Sequence, residues 1–210
     1  MFITFEGIEG SGKSTQINHL HKALEKVHFD VEITREPGWG AIGNLIRKII
    51  LENPDLDLEP LAELSLFCAD RAQHVKDFIR PMLNQGKIVL CDRFYDSTIA
   101  YQGFGRGLNI DLINLLNDVS TKDRKPDLTI LLDMPVKDAL FRTRVRQTEK
   151  QSSSKSTETN FEKESLDFHI KVSDGFKTIA KNSKNWVTIN GALEIDQISK
   201  LIWKEVKNIL

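Results

Sequence analysis

The 210-residue sequence predicts an α/β protein: a parallel five-stranded sheet with helices on both faces. Three observations carry this. Short apolar runs of strand length alternate with stretches of helical period, and strands joined by helices take right-handed crossovers and lie parallel. The runs are almost wholly apolar, as strands buried on both faces are. Between the first run, MFITFE, and the first helical stretch, QINHLHKALEKV, stands GIEGSGKST, residues 7–15; a glycine-rich turn between strand and helix is the phosphate-binding unit of such sheets.

The elements follow in order. Met1 to Phe5 is the first strand, and Ile17, Leu20, Leu24 and Val27 recur at helical spacing after it. Val31 to Thr34 is the second strand, followed by a helix through Ile42, Leu45, Ile46, Ile49 and Ile50. Ile88 to Cys91 is the third, with a helix through Leu112, Leu115, Leu116 and Val119. Leu128 to Leu132 and Trp186 to Ile189 complete the sheet, and Ile198, Leu201, Ile202 and Ile209 mark the last helix. The stretch 147–160, QTEKQSSSKSTETN, is polar with no apolar period. It follows Arg142, Arg144 and Arg146 and joins two helical stretches, the position of a mobile lid over a phosphate site. Residues 1–210 read as one domain, with the lid at about 142–162.

Composition narrows the function. With 29 Lys and Arg against 30 Asp and Glu, net charge −1, there is no general affinity for nucleic acid or an anionic membrane, so any basic site is local. No run approaches the ~18 apolar residues of a membrane span. The start of the chain goes straight into a strand pattern without a signal peptide's basic flank. Cys68 and Cys91 fit no disulfide or metal spacing and read as reduced thiols, hence a cytoplasmic protein.

In parallel sheets ligands bind beyond the carboxyl ends of the strands, and the informative residues fall there. The glycines of GIEGSGKST let backbone N–H groups approach phosphates at the positive end of the next helix. Lys13 would contact the β and γ phosphates of a nucleoside triphosphate and Ser14 would ligate Mg2+. CDRF ends the third strand with Asp92, a holder of the metal or its waters, and Arg93, which can bridge donor and acceptor phosphates. TREPGW brings Arg35 to the same edge. So many arginines on one edge exceed what hydrolysis by water needs and suggest a second phosphate. LFCADR sets Phe67 and Arg71 one helical turn apart, a ring to stack on a nucleobase beside a guanidinium for its carbonyl. DSTIAYQGFGRG adds Tyr101, Gln102 and Arg106.

The run of FEGIEGSGKST, TREPG, LFCADR, DRFYDSTIAYQG and RKPDLTILLD closely resembles the thymidylate kinase (dTMP kinase) family over nearly the whole chain. The resemblance implies the P-loop nucleoside monophosphate kinase fold with a mobile lid, transfer of the γ-phosphate of ATP to dTMP with magnesium, and a homodimer. It implies ATP contacts from Gly7, Ile8, Glu9, Gly10, Ser11, Gly12, Lys13, Ser14, Thr15 and Arg142. For dTMP it implies Phe67 stacking on thymine, Arg71 at its carbonyl edge, Arg35 and Arg93 on the phosphate, and Tyr101 against the deoxyribose. Gln102, Pro37 and Ser97 would complete that pocket, with Glu9 near the 3′-hydroxyl. Lys13, Arg93, Glu9 and Arg146 would be the catalytic set, and Ser14 and Asp92 the metal set. Gly10 and Ser11 in the loop, with arginines before the lid, match the bacterial layout of the family. Three positions depart from it: Trp39 replaces a usual glycine, Asn160 stands where an arginine is common, and Phe176 where a tyrosine is.

Two other readings share the phosphate loop. A deoxynucleoside kinase has no use for Arg35, since its acceptor lacks a phosphate. A regulatory switch or partition ATPase lacks a base-reading pair such as Phe67 and Arg71. Within the lid helix, Arg142 and Arg146 share a face while Arg144 diverges by ~200°. Arg142 is therefore expected against the adenine or its phosphates, Arg146 at the phosphates, and Arg144 solvated or paired with an acidic neighbour.

Overall fold

In a computed structural model the five strands form one wholly parallel sheet in the order β2-β3-β1-β4-β5. Residues 1–53, 56–151 and 159–210 are described, the side chains of 149–151 excepted. The strands are β1 (Phe2–Glu6), β2 (Val31–Arg35), β3 (Ile88–Asp92), β4 (Leu128–Asp133) and β5 (Trp186–Asn190). Each runs one residue past its apolar stretch, and the added residue is polar: Glu6, Arg35, Asp92, Asp133 or Asn190. Backbone pairing continues there, with Asp92 opposite both Phe5 and Arg35, while the side chains leave the core at the carboxyl edge. The sheet itself thus carries the first polar groups of the site.

Alternation along the strands splits the core. Ile3, Phe5, Leu90, Ile130 and Leu132 pack on one face against Ile17, Leu20 and Leu24 of α1 (Lys13–Glu25) and Ile198, Ile202 and Val206 of α9 (Ile195–Lys207). Leu131 faces the other way, into a cluster with Ile46 and Ile50 of α2 (Gly40–Leu51) and Phe168, Val172 and Phe176 of α8 (Leu166–Lys181). α2 lies beside α3 (Pro60–His74), and α3 beside α6 (Ile110–Thr121). α3 continues through a π turn, Val75–Ile79, into α4 (Arg80–Asn84). A second π turn, Ile99–Gly105, prolongs α5 (Tyr95–Thr98); such widened turns recur at functional sites, and this one carries Tyr101 and Gln102.

Three expectations are corrected. Val27 lies beyond the end of α1 and is 46 % exposed; the chain turns just after it, with His28 at φ 65°. The apolar stripes of α2 and α6 do not all face inward: Leu45 is 62 % exposed, Leu115 60 % and Val119 68 %, while α6 buries Ile113, Asn117, Ser120 and Thr121. Finally, α7 (Val136–Gln151) runs five residues into the stretch read as lid. Gln, Glu and Lys are good helix formers and a solvated helix end requires no apolar face. Residues 152–158 of that stretch lie outside the described residues; Asn160 leads into a 3₁₀ turn, Phe161–Lys163.

Candidate active site

A cavity of about 710 Å³ opens over the carboxyl edge, lined by every residue expected to serve catalysis, ATP, dTMP or the metal except Gly7 and Ile8. Those two turn away from it: Ile8 is 3 % exposed in the second core cluster, and both offer their carbonyls to Lys13. The Lys13 ammonium donates to Gly7 O at 2.9 Å and Ile8 O at 3.0 Å. α1 begins at Gly12, φ 97°, without a side-chain cap, so its first N–H groups stay free for phosphate oxygens. Glycine is required at residue 10, φ 77°, because a Cβ there would overlap the Ala139 carbonyl of α7. Burial, helped by the Arg93 charge, draws the Lys13 pKa down to about 8 against the pull of Asp92, Glu9 and Glu6. Beside it the Ser14 hydroxyl donates to Asp92 Oδ2 at 2.8 Å.

Arg93 is the hub of the site. It sits in the left-handed region, φ 69°, which swings its side chain from the end of β3 back over the phosphate loop. One amino nitrogen donates to Glu9 Oε1 at 2.9 Å and to the Tyr101 hydroxyl at 3.0 Å; the other donates to Ser97 Oγ at 3.1 Å. Its guanidinium also lies over the Tyr101 ring, 5.0 Å from the centroid. Tyr101 in turn donates to Glu9 Oε1 at 2.6 Å. Burial pushes the Glu9 carboxyl up, but Arg93, Lys13 and the Tyr101 hydrogen bond outweigh it and hold Glu9 ionised. Beneath them Glu6 is fully buried, accepting from Phe94 N at 2.8 Å and Ser97 Oγ at 2.6 Å. Burial raises its pKa to about 7, opposed by Arg93 and those two bonds.

The wall away from the phosphate loop is built by α3. Pro60 at its first turn and the Glu59 side chain, which accepts from Leu61 N and Ala62 N, fix where the helix starts. Phe67 and Arg71 then face the same cavity. Arg71 is 1 % exposed and donates to Glu36 Oε2 at 2.9 Å, Asn117 Oδ1 at 2.9 Å and Thr98 Oγ1 at 2.8 Å. A guanidinium has five N–H donors, so two remain for a ligand carbonyl. Gln102 donates to Glu63 Oε1 at 2.7 Å. Pro37 follows a cis peptide bond and its carbonyl accepts from Arg47 at 2.9 Å. Arg35 stands exposed at the rim.

Residues of α7 close the far side. Arg142 donates to Gly191 O at 3.2 Å and Arg146 to Glu162 Oε1 at 3.4 Å, and both line the cavity; Arg144 is exposed outside it. Asn160 does not substitute for a cation. Its amide donates to Ile50 O and Asn53 O and its N–H to Leu51 O, tying the chain at residue 160 to the carbonyls at the end of α2. Trp39 takes an ordinary extended backbone, φ −86°, between two positive-φ glycines, and its indole stacks on His74. Phe176 is 1 % exposed, edge-on to Tyr101, so no hydroxyl is needed there.

Several site residues escaped the sequence reading. Arg47, the one cation of α2's cavity side, sits near Arg35, and burial followed by that charge lowers its pKa; its signal was a charge inside an apolar run. Glu6 and Glu36 each lie inside a quoted motif, FEGIEGSGKST and TREPG, and were passed over there. Phe161 lines the pocket 5.2 Å from the Tyr101 ring. Arg106, which the sequence did single out, stands outside the cavity: it lies over Phe161 and Phe168 and pairs with Glu63 and Glu164. Among the described residues no cluster of three or more His, Cys, Asp or Glu could hold a metal alone. A hydroxyl and one carboxylate in contact at Ser14 and Asp92 do fit magnesium, which keeps waters and takes further ligands from substrate phosphates.

The parallel sheet, the phosphate loop after β1 and a wall of arginines and an aromatic in the same cavity define the class: P-loop kinases of mononucleotides. The family described as "Thymidylate kinase" matches residues 5–202. A thymidylate kinase of Syntrophotalea carbinolica is 45 % identical over 100 % of this chain and 96 % of its own length. One from Maridesulfovibrio salexigens is 47 % identical over 99 % and 93 %. The crystal structure of thymidylate kinase from Ehrlichia chaffeensis superposes with a TM-score of 0.77 at 35 % identity, covering 98 % of both chains. The chain belongs to the thymidylate kinase family.

Proposed function

We propose that this protein transfers the γ-phosphate of ATP to dTMP, giving dTDP and ADP. The observation that carries the reading is that Phe67, Arg71 and Tyr101 line the same cavity as Lys13 and the phosphate loop, joined by Arg93. ATP phosphates would lie on the N–H groups of residues 9–15, with Lys13 released from its own loop's carbonyls to meet them. Ser14 and Asp92 would hold Mg2+, which neutralises charge across the β and γ phosphates. Arg93 would swing from Glu9 to bridge donor and acceptor, and Arg35 and Arg47 would receive the acceptor phosphate. Thymine would lie on Phe67, with its carbonyl edge at the two free Arg71 donors and Gln102 beside it. Arg142 would meet the adenine side and Arg146 the transferring phosphate, in a loop that supplies no arginine of its own. Little covalent work is left for the protein; positioning, charge and exclusion of water supply the rate.

The reading carries three further parts. The chain acts as one kinase domain over residues 1–210. It works in the cytoplasm, in keeping with two free thiols; no described helix is long and apolar enough to cross a membrane. It pairs as a homodimer through the exposed apolar side chains of α2 and α6. ADP production measured with dTMP, dUMP, the other nucleoside monophosphates and thymidine tests the activity. Production dependent on dTMP supports it, whereas equal rates with thymidine or without acceptor would replace it by one of the rival readings.

A further inference from the structure

Glu9 is held on one side only. Its Oε1 takes both donors, Arg93 and Tyr101, while Oε2 is buried and without a hydrogen-bond partner among the described residues. Across from it lies His169 of α8, 0 % exposed, with both ring nitrogens equally unpartnered and Nδ1 3.8 Å from that Oε2. Buried polar groups are almost always bonded, so orphans facing one another need a reason. Poor packing is not the reason. α8 is seated so closely on the π turn carrying Tyr101 that a Cβ on Gly105 would come 2.6 Å from the Phe168 ring and one on Gly175 2.8 Å from Phe104. Phe168 itself meets the His169 ring edge-on. The imidazole is thus fixed opposite the carboxylate by the backbone of two elements.

The arrangement acquires a purpose when Arg93 moves. A guanidinium that turns to a phosphate leaves Glu9 buried with Tyr101 as its sole donor. A shift of about 1 Å would then bring Oε2 to hydrogen-bond distance of Nδ1. We propose that His169 is a positioning residue: it takes over the Glu9 carboxylate as Arg93 leaves for the phosphates, and so holds Glu9 beside Tyr101 during transfer. The inference rests on the kinase reading of Arg93 and Glu9.

The test is steady-state kinetics of dTMP phosphorylation by His169→Leu, His169→Asn, His169→Gln, Glu9→Gln and the double variant Glu9→Gln/His169→Leu, with the thermal midpoint of each. An asparagine amide can place a donor where Nδ1 stands; a glutamine amide reaches past it. His169→Leu should lose roughly tenfold or more in kcat with the KM for ATP unchanged, and His169→Asn should recover most of that loss while His169→Gln does not. In the Glu9→Gln background His169→Leu should add less than about twofold, since groups acting as a unit are not additive. Equal kcat for the Leu and Asn variants, or multiplicative losses in the double variant, overturns the proposal. If the Leu variant fails to fold, the ranking of Asn against Gln decides. Should Glu9→Gln be impaired while His169→Leu keeps wild-type kcat, only this inference falls; should Glu9→Gln be fully active, the role given to Glu9 falls with it.

Discussion

Lys13 donates to its own loop's carbonyls and has a pKa of about 8, lowered by burial and by Arg93. The ammonium form is the one a polyphosphate attracts, and bound phosphates raise its pKa. Above pH about 8 the free protein therefore has to take up a proton to bind ATP, and Kd should rise up to about tenfold per pH unit. Calorimetry near pH ~8.5 in buffers of different ionisation enthalpy should show proton uptake, absent in Lys13→Arg; no uptake in the wild type would remove Lys13 as the titrating group. Arg71 shows a different dependence, because it serves the fold as well as the ligand. Burial opposes its charge, yet Glu36 raises its pKa, and the pair is 1 % and 2 % exposed. Arg71→Ala leaves the buried Glu36 carboxylate with only the His74 ring nitrogen beside it and should destabilise by about 3–5 kcal/mol, lowering the thermal midpoint by on the order of 10 °C. Arg71→Lys keeps the charge without the fork, so it should lose far less stability while still raising the KM for dTMP. Equal midpoints for the Ala variant and the wild type would contradict the ion-pair account.

At the scale of elements, α7 decides which arginines reach the site. Arg142 and Arg146, four residues apart, line the cavity and Arg144 does not. Arg146 is half exposed and held to Glu162 by one long contact of 3.4 Å, which it can exchange for phosphate. Alanine substitution, with kcat measured at saturating ATP and dTMP, should cost ~10²-fold or more at Arg146 and almost nothing at Arg144; similar small losses at both would defeat the assignment. All five strands were legible, because apolar runs of fixed period leave few alternatives, whereas the last five residues of α7 were not, since they carry no apolar period. The strand ends were not: Glu6, Arg35, Asp92, Asp133 and Asn190 continue the ladder although their polarity signals a loop. Motif residues were legible for the same local reason, since a phosphate loop is one contiguous string. Residues that meet only through the fold were not. Nothing near His169 in sequence points to Glu9, and Arg47 reads as a surface charge until α2 is laid beside Arg35. Asn160 looked like a lost cation because a spacing cannot show that its amide caps α2.

At the scale of the whole molecule, the outward apolar face sets the last expectation. Ile42 and Leu45 of α2, Leu61 of α3 and Leu112, Leu115 and Val119 of α6 are all exposed, on three helices packed side by side. Scattered exposed apolar residues need no explanation, but a set spanning adjacent helices is the mark of a protein interface. Periodicity found these helices and could not tell a face buried in the core from one awaiting a second copy, since both demand the same side chains. The inner faces of the same helices carry the acceptor wall: Phe67 and Arg71 on α3, Arg47 on α2, and Asn117 of α6 bonded to Arg71. Pairing through the outer face would therefore brace the dTMP pocket and leave the phosphate loop, on the edge of β1, untouched. Leu45→Glu combined with Leu115→Glu should convert a dimer into a folded monomer in sedimentation experiments, because neither side chain is buried in the single chain. The monomer should show a KM for dTMP raised by about fivefold or more, with the KM for ATP close to wild type. A wild-type protein that sediments as a monomer at micromolar concentration would refute the interface. A monomeric variant with unchanged KM for dTMP would instead separate pairing from the pocket, and confine the outer face to assembly.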